Sequence, residues 1–335
     1  MKNFALSALA AAALVVSAPQ SEAQNSNYIL ATASTGGTYY PVGVALATLV
    51  KVKLEPKQKI GMSAVSSAGS GENIRLLRDN EAQFAILQGL FGSYAATGTG
   101  PIAADGPQKD LRSVSMLWQN VEHFVVQSDL ATTGTMDDFI ALKGQSVALG
   151  NKNSGTIGSN AAILGGFGLD IDADFNLVYG GYGPAAEALQ NGQVAGISAP
   201  AGVPVGALSQ LFAAAGDGVT LLNFTPEQMA MGDDGKNLWT EYVIPAGTYP
   251  GQDADVTTIA QPNFMGTRAD VPEEHVYMIT KTIYENLPFL QAIHPATKAM
   301  AIEKAIAGLP LPLHPGAARY YKEVGVDIPE RLMAE

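Results

Sequence analysis

The sequence predicts an α/β protein of two lobes, each built on a mainly parallel sheet flanked by helices, with a cleft between the lobes. Three observations lead there. Short β-rich runs alternate with helical segments along the chain, which argues for parallel strands covered on both faces. The loops between each run and its helix are made of Gly, Ser, Thr and Asn. Once an N-terminal address is set aside, about 310 residues remain, more than one hydrophobic core normally organises.

The address comes first. Lys2 precedes an apolar run over residues 4–18, and Ser21 and Ala23 supply small residues at minus three and minus one before Gln24. This is the pattern of a cleaved export signal over residues 1–23. The run is shorter than the roughly 20 residues of a membrane span, and no later segment is long and apolar enough to be one. With no Cys among the 335 residues, there is neither a disulfide framework nor a lipid-attachment site. A periplasmic protein that is not membrane-embedded is expected. The net charge of −12 also belongs to the mature chain, because residues 1–23 carry one cation, Lys2, and one anion, Glu22. Such a surface repels nucleic acid and anionic lipid.

Residues 28–33 read as a strand, 34–38 as a tight loop, and 41–53 as a helix with Pro41 in its first turn. The same order recurs at 60–66 with a helix through Arg78, at 83–87 with a helix towards Ala96, and at 145–150 with a helix to Gly168. It recurs again at 195–199 with a helix to Ala214. Residues 113–128 form two apolar runs and read as the crossing between lobes. The Gly- and Pro-rich stretch 244–252 reads as the return path, followed by a strand over 256–266 and a helix over 272–287. The expected division is 24–122 plus 252–335 for the first lobe and 123–251 for the second, with crossings near 118–124 and 244–256. No internal repeat points to a solenoid.

In open parallel sheets, ligands bind beyond the carboxyl ends of the strands, where the next helix presents unpaired N–H groups and roughly half a positive charge. Five such junctions leave the backbone exposed, and they supply the candidate ligand-binding residues. These are Thr35, Gly37, Thr38 and Tyr39 at the first; Ser67 and Ser70 at the second; Gln88 at the third; Asn153, Ser154, Gly155 and Thr156 at the fourth; and Ala201 and Gly202 at the fifth. Ser or Thr in such loops also caps helices, so the set of five carries the reading. Arg75 and Arg78 lie within a turn of the second loop. His123, His275, His294 and His314 are scattered without metal-ligand spacing, and Asp137-Asp138 and Asp233-Asp234 read as solvated loop or cap charges. No Gly-x-Ser-x-Gly elbow, Walker loop or Cys nucleophile occurs. The expectation is no catalytic residue, no metal and no cofactor.

At these residues the chain resembles the TAXI family, the extracytoplasmic binding subunits of one class of tripartite ATP-independent periplasmic (TRAP) transporters. The resemblance spans essentially the whole mature chain. Its marks include Thr35-Gly36-Gly37-Thr38-Tyr39-Tyr40-Pro41, Ser70-Gly71-Glu72-Asn73-Ile74-Arg75, Ser154-Gly155-Thr156, the stretch 244–252, and the long block 308–321. It implies a type II periplasmic-binding-protein fold, a small carboxylate ligand such as glutamate, 2-oxoglutarate or a C4 dicarboxylate, and a membrane permease driven by an ion gradient. A ligand-sensing module for a membrane receptor is the alternative. The sequence departs from the family at Gly89-Leu90 and at Ile197-Ser198-Ala199-Pro200, both at the expected cleft.

Overall fold

The computed structural model describes residues 25–334, so the expected export signal lies outside the described residues. The first sheet opens with three strand–loop–helix units: β1 (Ser26–Ala31) and α1 (Tyr39–Gln58), β2 (Ile60–Val65) and α2 (Ser70–Arg78), β3 (Phe84–Gln88) and α3 (Gly89–Thr97). Strand β1 pairs in parallel with β2 and β3. Strand β4 (Leu111–Val121) then leads directly into β5 (Phe124–Gln127) of a second sheet.

The second lobe follows with α4 (Met136–Ile140), β6 (Ser146–Ala148), α5 (Gly155–Gly166), α6 (Ile171–Asp174) and β7 (Asn176–Leu177). It continues through α7 (Tyr182–Gln190), β8 (Gly196–Ser198), α8 (Gly206–Ala215), β9 (Val219–Leu221) and α9 (Pro226–Asp233). Strand β10 (Thr240–Ile244) pairs antiparallel with the Val256 to Ala260 part of β11 (Val256–Arg268), whose remainder runs between β3 and β4. Helices α10 (Glu273–Glu285), α11 (Leu287–Ile293) and α12 (Pro315–Glu323) complete the chain.

Each sheet is mixed. The orders are β10-β11-β3-β1-β2, with β4 on β11, and β7-β6-β8-β5-β9. Parallel pairing is confined to the strand–helix units; β4, β5, β9, β10 and β11 pair antiparallel. One core, containing Leu30, Phe84, Trp118 and Phe264, lies with the first sheet. Two others, around Val125 with Ile197 and around Phe124 with Phe139, lie with the second.

The two longest sequence marks are structural. In the block 308–321, Leu309, Leu311, Leu313 and Tyr321 are buried in the first core. Tyr321 donates its hydroxyl to the Val114 carbonyl at 2.8 Å, and the Ser113 N–H donates to Pro312 O at 2.8 Å. The stretch 244–252 places Tyr249 against the crossing: its hydroxyl lies 2.8 Å from His123 Nε2 and accepts from the Val205 N–H at 3.0 Å. Asp138 is buried, not solvated. Its carboxylate closes the 132–134 turn by accepting from Thr132 Oγ1, Thr133 N and Gly134 N.

Candidate functional site

The carboxyl ends of the parallel strands in the two sheets face each other across one cavity. From the first lobe come Ser34, Gly37, Thr38 and Tyr39 at the start of α1, Gly69 and Ser70 at the start of α2, Gln88 ending β3, and Asn120 near the end of β4. From the second come Asn151, Ser154, Gly155 and Thr156 before and at the start of α5, Gly180 to Tyr182 before α7, and Pro200 and Ala201 after β8. Four helix starts therefore point at one small volume.

Local chemistry explains why those ends stay open. Thr38 does not cap α1; its hydroxyl donates across the cleft to Gly202 O at 2.9 Å. Gly69 precedes α2 at φ 118°, a conformation that only glycine adopts without strain, and so it cannot offer a capping side chain. Ser154 caps α5 by accepting from Ile157 N at 3.0 Å. That leaves the N–H groups of Gly155 and Thr156, like that of Ser70, without a partner among the described residues. Two backbone bonds also join the lobes, from Glu72 N to Asn153 O at 2.9 Å and from Ala207 N to Gly36 O at 3.2 Å. The cleft is closed.

Among the described residues the lining carries no Lys, Arg, His, Asp or Glu. Arg75 and Arg78 lie in a separate outer groove, paired with Glu81 at 3.0 Å and Asp105 at 2.6 Å. The titratable cavity groups are Tyr39 and Tyr182, both pushed well above the usual phenol range by burial. Tyr39 donates to Asn263 Oδ1. The Tyr182 hydroxyl donates to the Pro200 carbonyl at 2.7 Å. Its single proton being used there, the Thr156 hydroxyl 2.8 Å away must be the donor to Tyr182, and Thr156 turns only lone pairs to the cavity. Two buried amide atoms facing the cavity have no partner among the described residues: Gln88 Oε1, on a residue 3% exposed, and Asn120 Nδ2, on a residue 1% exposed. A buried polar atom left unpaired costs about 1–3 kcal/mol, so pairing these two with a ligand would stabilise a complex.

Of the sequence candidates, the cavity gathers Gly37, Thr38, Tyr39, Ser70, Gln88, Ser154, Gly155, Thr156 and Ala201. It does not gather the other four. Thr35 faces a groove on one side of the cleft and Asn153 a groove on the other. Ser67 is turned inward, 2.6 Å from Asn73 Oδ1. Gly202 packs on Trp118, where an added Cβ would come within 2.8 Å of the indole. Sequence reasoning missed Asn120, Asn151 and Tyr182. The Gly180-Gly181-Tyr182-Gly183 junction has the composition of the five that were singled out, but β7 before it is only two residues long. Gln119, Asn120, Glu122 and His123 interrupt an otherwise apolar crossing, a usable signal for Asn120.

Behind the cavity, at the crossing, Glu122 is fully buried, and burial pushes its carboxyl up from 4.5 to about 8. Trp239 Nε1 donates to its Oε1 at 3.3 Å, and Oε2 has no partner among the described residues. Its neighbour His123 is pushed down from 6.5 to about 4, also by burial. The folded state holds more protons at Glu122 than the unfolded chain between about pH 4.5 and 8, so this group makes stability fall as pH rises. His123 acts oppositely between about pH 4 and 6.5, because there the unfolded chain binds the extra proton. The two oppose each other in the overlap, and Glu122 acts alone above pH 6.5. Urea unfolding is expected to show the parent losing about 1–2 kcal/mol between pH 6.5 and 8, and Glu122→Gln losing none of it. A variant that tracks the parent over that window contradicts the assignment.

This architecture, two mixed α/β lobes meeting at a polar cleft, is the type II fold of periplasmic solute-binding proteins. Residues 30–325 match the NMT1-like family, and the chain belongs to that family. Among solved structures it is similar to MatC from Rhodopseudomonas palustris with bound malate, at 13% identity and TM-score 0.54, covering 89% of this chain and 98% of that one. It is also similar to the periplasmic binding protein BugD, at 13% identity and TM-score 0.50, covering 89% and 93%. A third is a binding-protein component of an ABC phosphonate transporter from Pseudomonas aeruginosa, at 8% identity and TM-score 0.50, covering 81% and 78%. No described helix is long and apolar enough to cross a membrane, and among the described residues no group of three His, Cys, Asp or Glu could hold a metal.

Proposed function

We propose that this chain is the extracytoplasmic solute-binding subunit of a TAXI-type TRAP transporter, exported by its N-terminal signal. It captures a small carboxylate in the periplasm and delivers it unchanged to a membrane permease. The observation that carries this reading is the cavity itself: uncharged, ringed by helix starts with free N–H groups, and shut by hydrogen bonds between opposite lobes. Helix starts suit an anion, and in a protein of charge −12 they give it a local site against the mean field. The similarity to MatC, which holds malate, and the motifs beginning at Thr35, Ser70 and Ser154 support the ligand class and the subtype.

The lobes hinge where β4 becomes β5, at Glu122 and His123, and where β11 leaves the second core near its register shift after Pro262. Opening at these two places breaks the three cross-cleft bonds and admits the ligand. In a thermal-shift panel, a carboxylate at about 100 times its Kd should stabilise the protein by roughly 2.7 kcal/mol, a visible rise in Tm. Sugars and cationic amines should give none. A sugar that stabilises where no carboxylate does would remove the anion-cradle reading.

A further inference from the structure

The cavity constrains its ligand more narrowly than "carboxylate", and this refinement rests on the solute-binding reading above. The first constraint is size. The cavity is closed by bonds between the two lobes and ringed by residues from both, so the ligand is small.

The second constraint is charge. Each helix start offers about half a positive charge, and the lining adds no cation. The four starts together balance one carboxylate or two. An ammonium group would be buried without a counter-charge, which is costly, since the lining holds no carboxylate to pair with it and burial holds the nearby Glu122 neutral.

The third constraint is the balance of donors and acceptors. Gln88 Oε1 has no partner among the described residues, so this side chain offers a free acceptor. Thr156 adds a second acceptor, because its proton is committed to Tyr182. A ligand made only of carboxylate and hydrocarbon supplies acceptors to Asn120 and the helix ends but no donor to Gln88 or Thr156. Those two oxygens would then stay unpaired beside an anion.

From these constraints we infer that the cavity takes a small hydroxy carboxylate without an ammonium group, a carboxylate on the α2 and α5 starts and its hydroxyl donating to Gln88 Oε1 or Thr156 Oγ1. Asn120 Nδ2 is the buried donor that fixes the other side of the ligand.

The test is titration calorimetry with four probes: glycolate, lactate, propionate and alanine. Lactate or glycolate should bind at least about tenfold tighter than propionate, which lacks only the hydroxyl donor, and tighter than alanine. Gln88→Leu combined with Thr156→Val should bring the lactate-to-propionate ratio within about threefold of unity. Propionate or alanine binding as tightly as lactate in the parent overturns the inference and leaves the carboxylate reading standing. A doubly substituted protein with its full hydroxyl preference also overturns it. If none of the four probes binds and a sulfonate or sugar raises Tm instead, the proposed function falls with it.

Discussion

Gly155→Val is expected to lower affinity for the bound carboxylate at least about a hundredfold, a loss near 3 kcal/mol, while leaving a folded protein. Gly155 opens α5 in the second lobe, and its backbone lies against the first lobe. A Cβ there would stand 2.5 Å from Gln88 Oε1 and 2.8 Å from Ser70 Oγ. Side chains can yield to an isolated contact, but these two line the opposite wall of the cavity. The branched residue therefore either fills the ligand's place or wedges the lobes apart, and both prevent closure. The substitution costs little within the second lobe, because Gly155 is helical and its φ is not positive. Calorimetry should show the loss with Tm of the ligand-free protein within a few degrees of the parent. The exposed Asp217, changed to Asn, is the control and should bind like the parent. Parent-like affinity in Gly155→Val would mean that the lobes do not close on the ligand at α5.

Thr156→Val is expected to cost about threefold to tenfold in affinity, corresponding to the loss of one hydrogen bond that Thr156 accepts from a neutral ligand hydroxyl. Thr156 is buried, and its hydroxyl is the middle of a chain in which it donates to Tyr182, which in turn donates to Pro200 O. Valine keeps the volume. The Tyr182–Pro200 bond survives, so the fold should lose little. The ligand loses the lone pairs of Thr156, and the Tyr182 oxygen loses its donor. Affinity within twofold of the parent at unchanged Tm would make this hydroxyl a structural link in the second lobe and nothing more.

Much of this site could be read from the chain because strand–loop–helix junctions announce themselves. A β-rich run ending at Ala31 or Gln88, followed by Gly, Ser or Thr and then a helical segment, places Thr38, Ser70 and Gln88 at the carboxyl end of a strand without knowledge of the fold. What the pattern does not give is direction. Thr35 and Gly37 share one loop, as do Asn153 and Gly155, and in each pair only the glycine reaches the cavity. Which way a loop residue faces depends on the opposite lobe. Tyr182 was hidden for a different reason: two residues of β7 are too few to display a period. Asn120 belongs to a strand that crosses between lobes, and only tertiary structure shows that its amide faces the cleft. The crossing strands also explain why both sheets are mixed, since a chain that leaves the first lobe and returns to it contributes antiparallel segments that no local pattern reveals.

A small anion is expected to sit between the starts of α2 and α5 with the lobes closed around it. A crystal structure of the protein saturated with whichever carboxylate gives the largest rise in Tm tests this most directly. The predicted result is ligand density bounded by Ser70, Gln88 and Asn120 on one side and Gly155 and Thr156 on the other, with its carboxylate on backbone N–H groups. Density in the outer groove beside Arg75 and Arg78, with only water between the two helix starts, would contradict it.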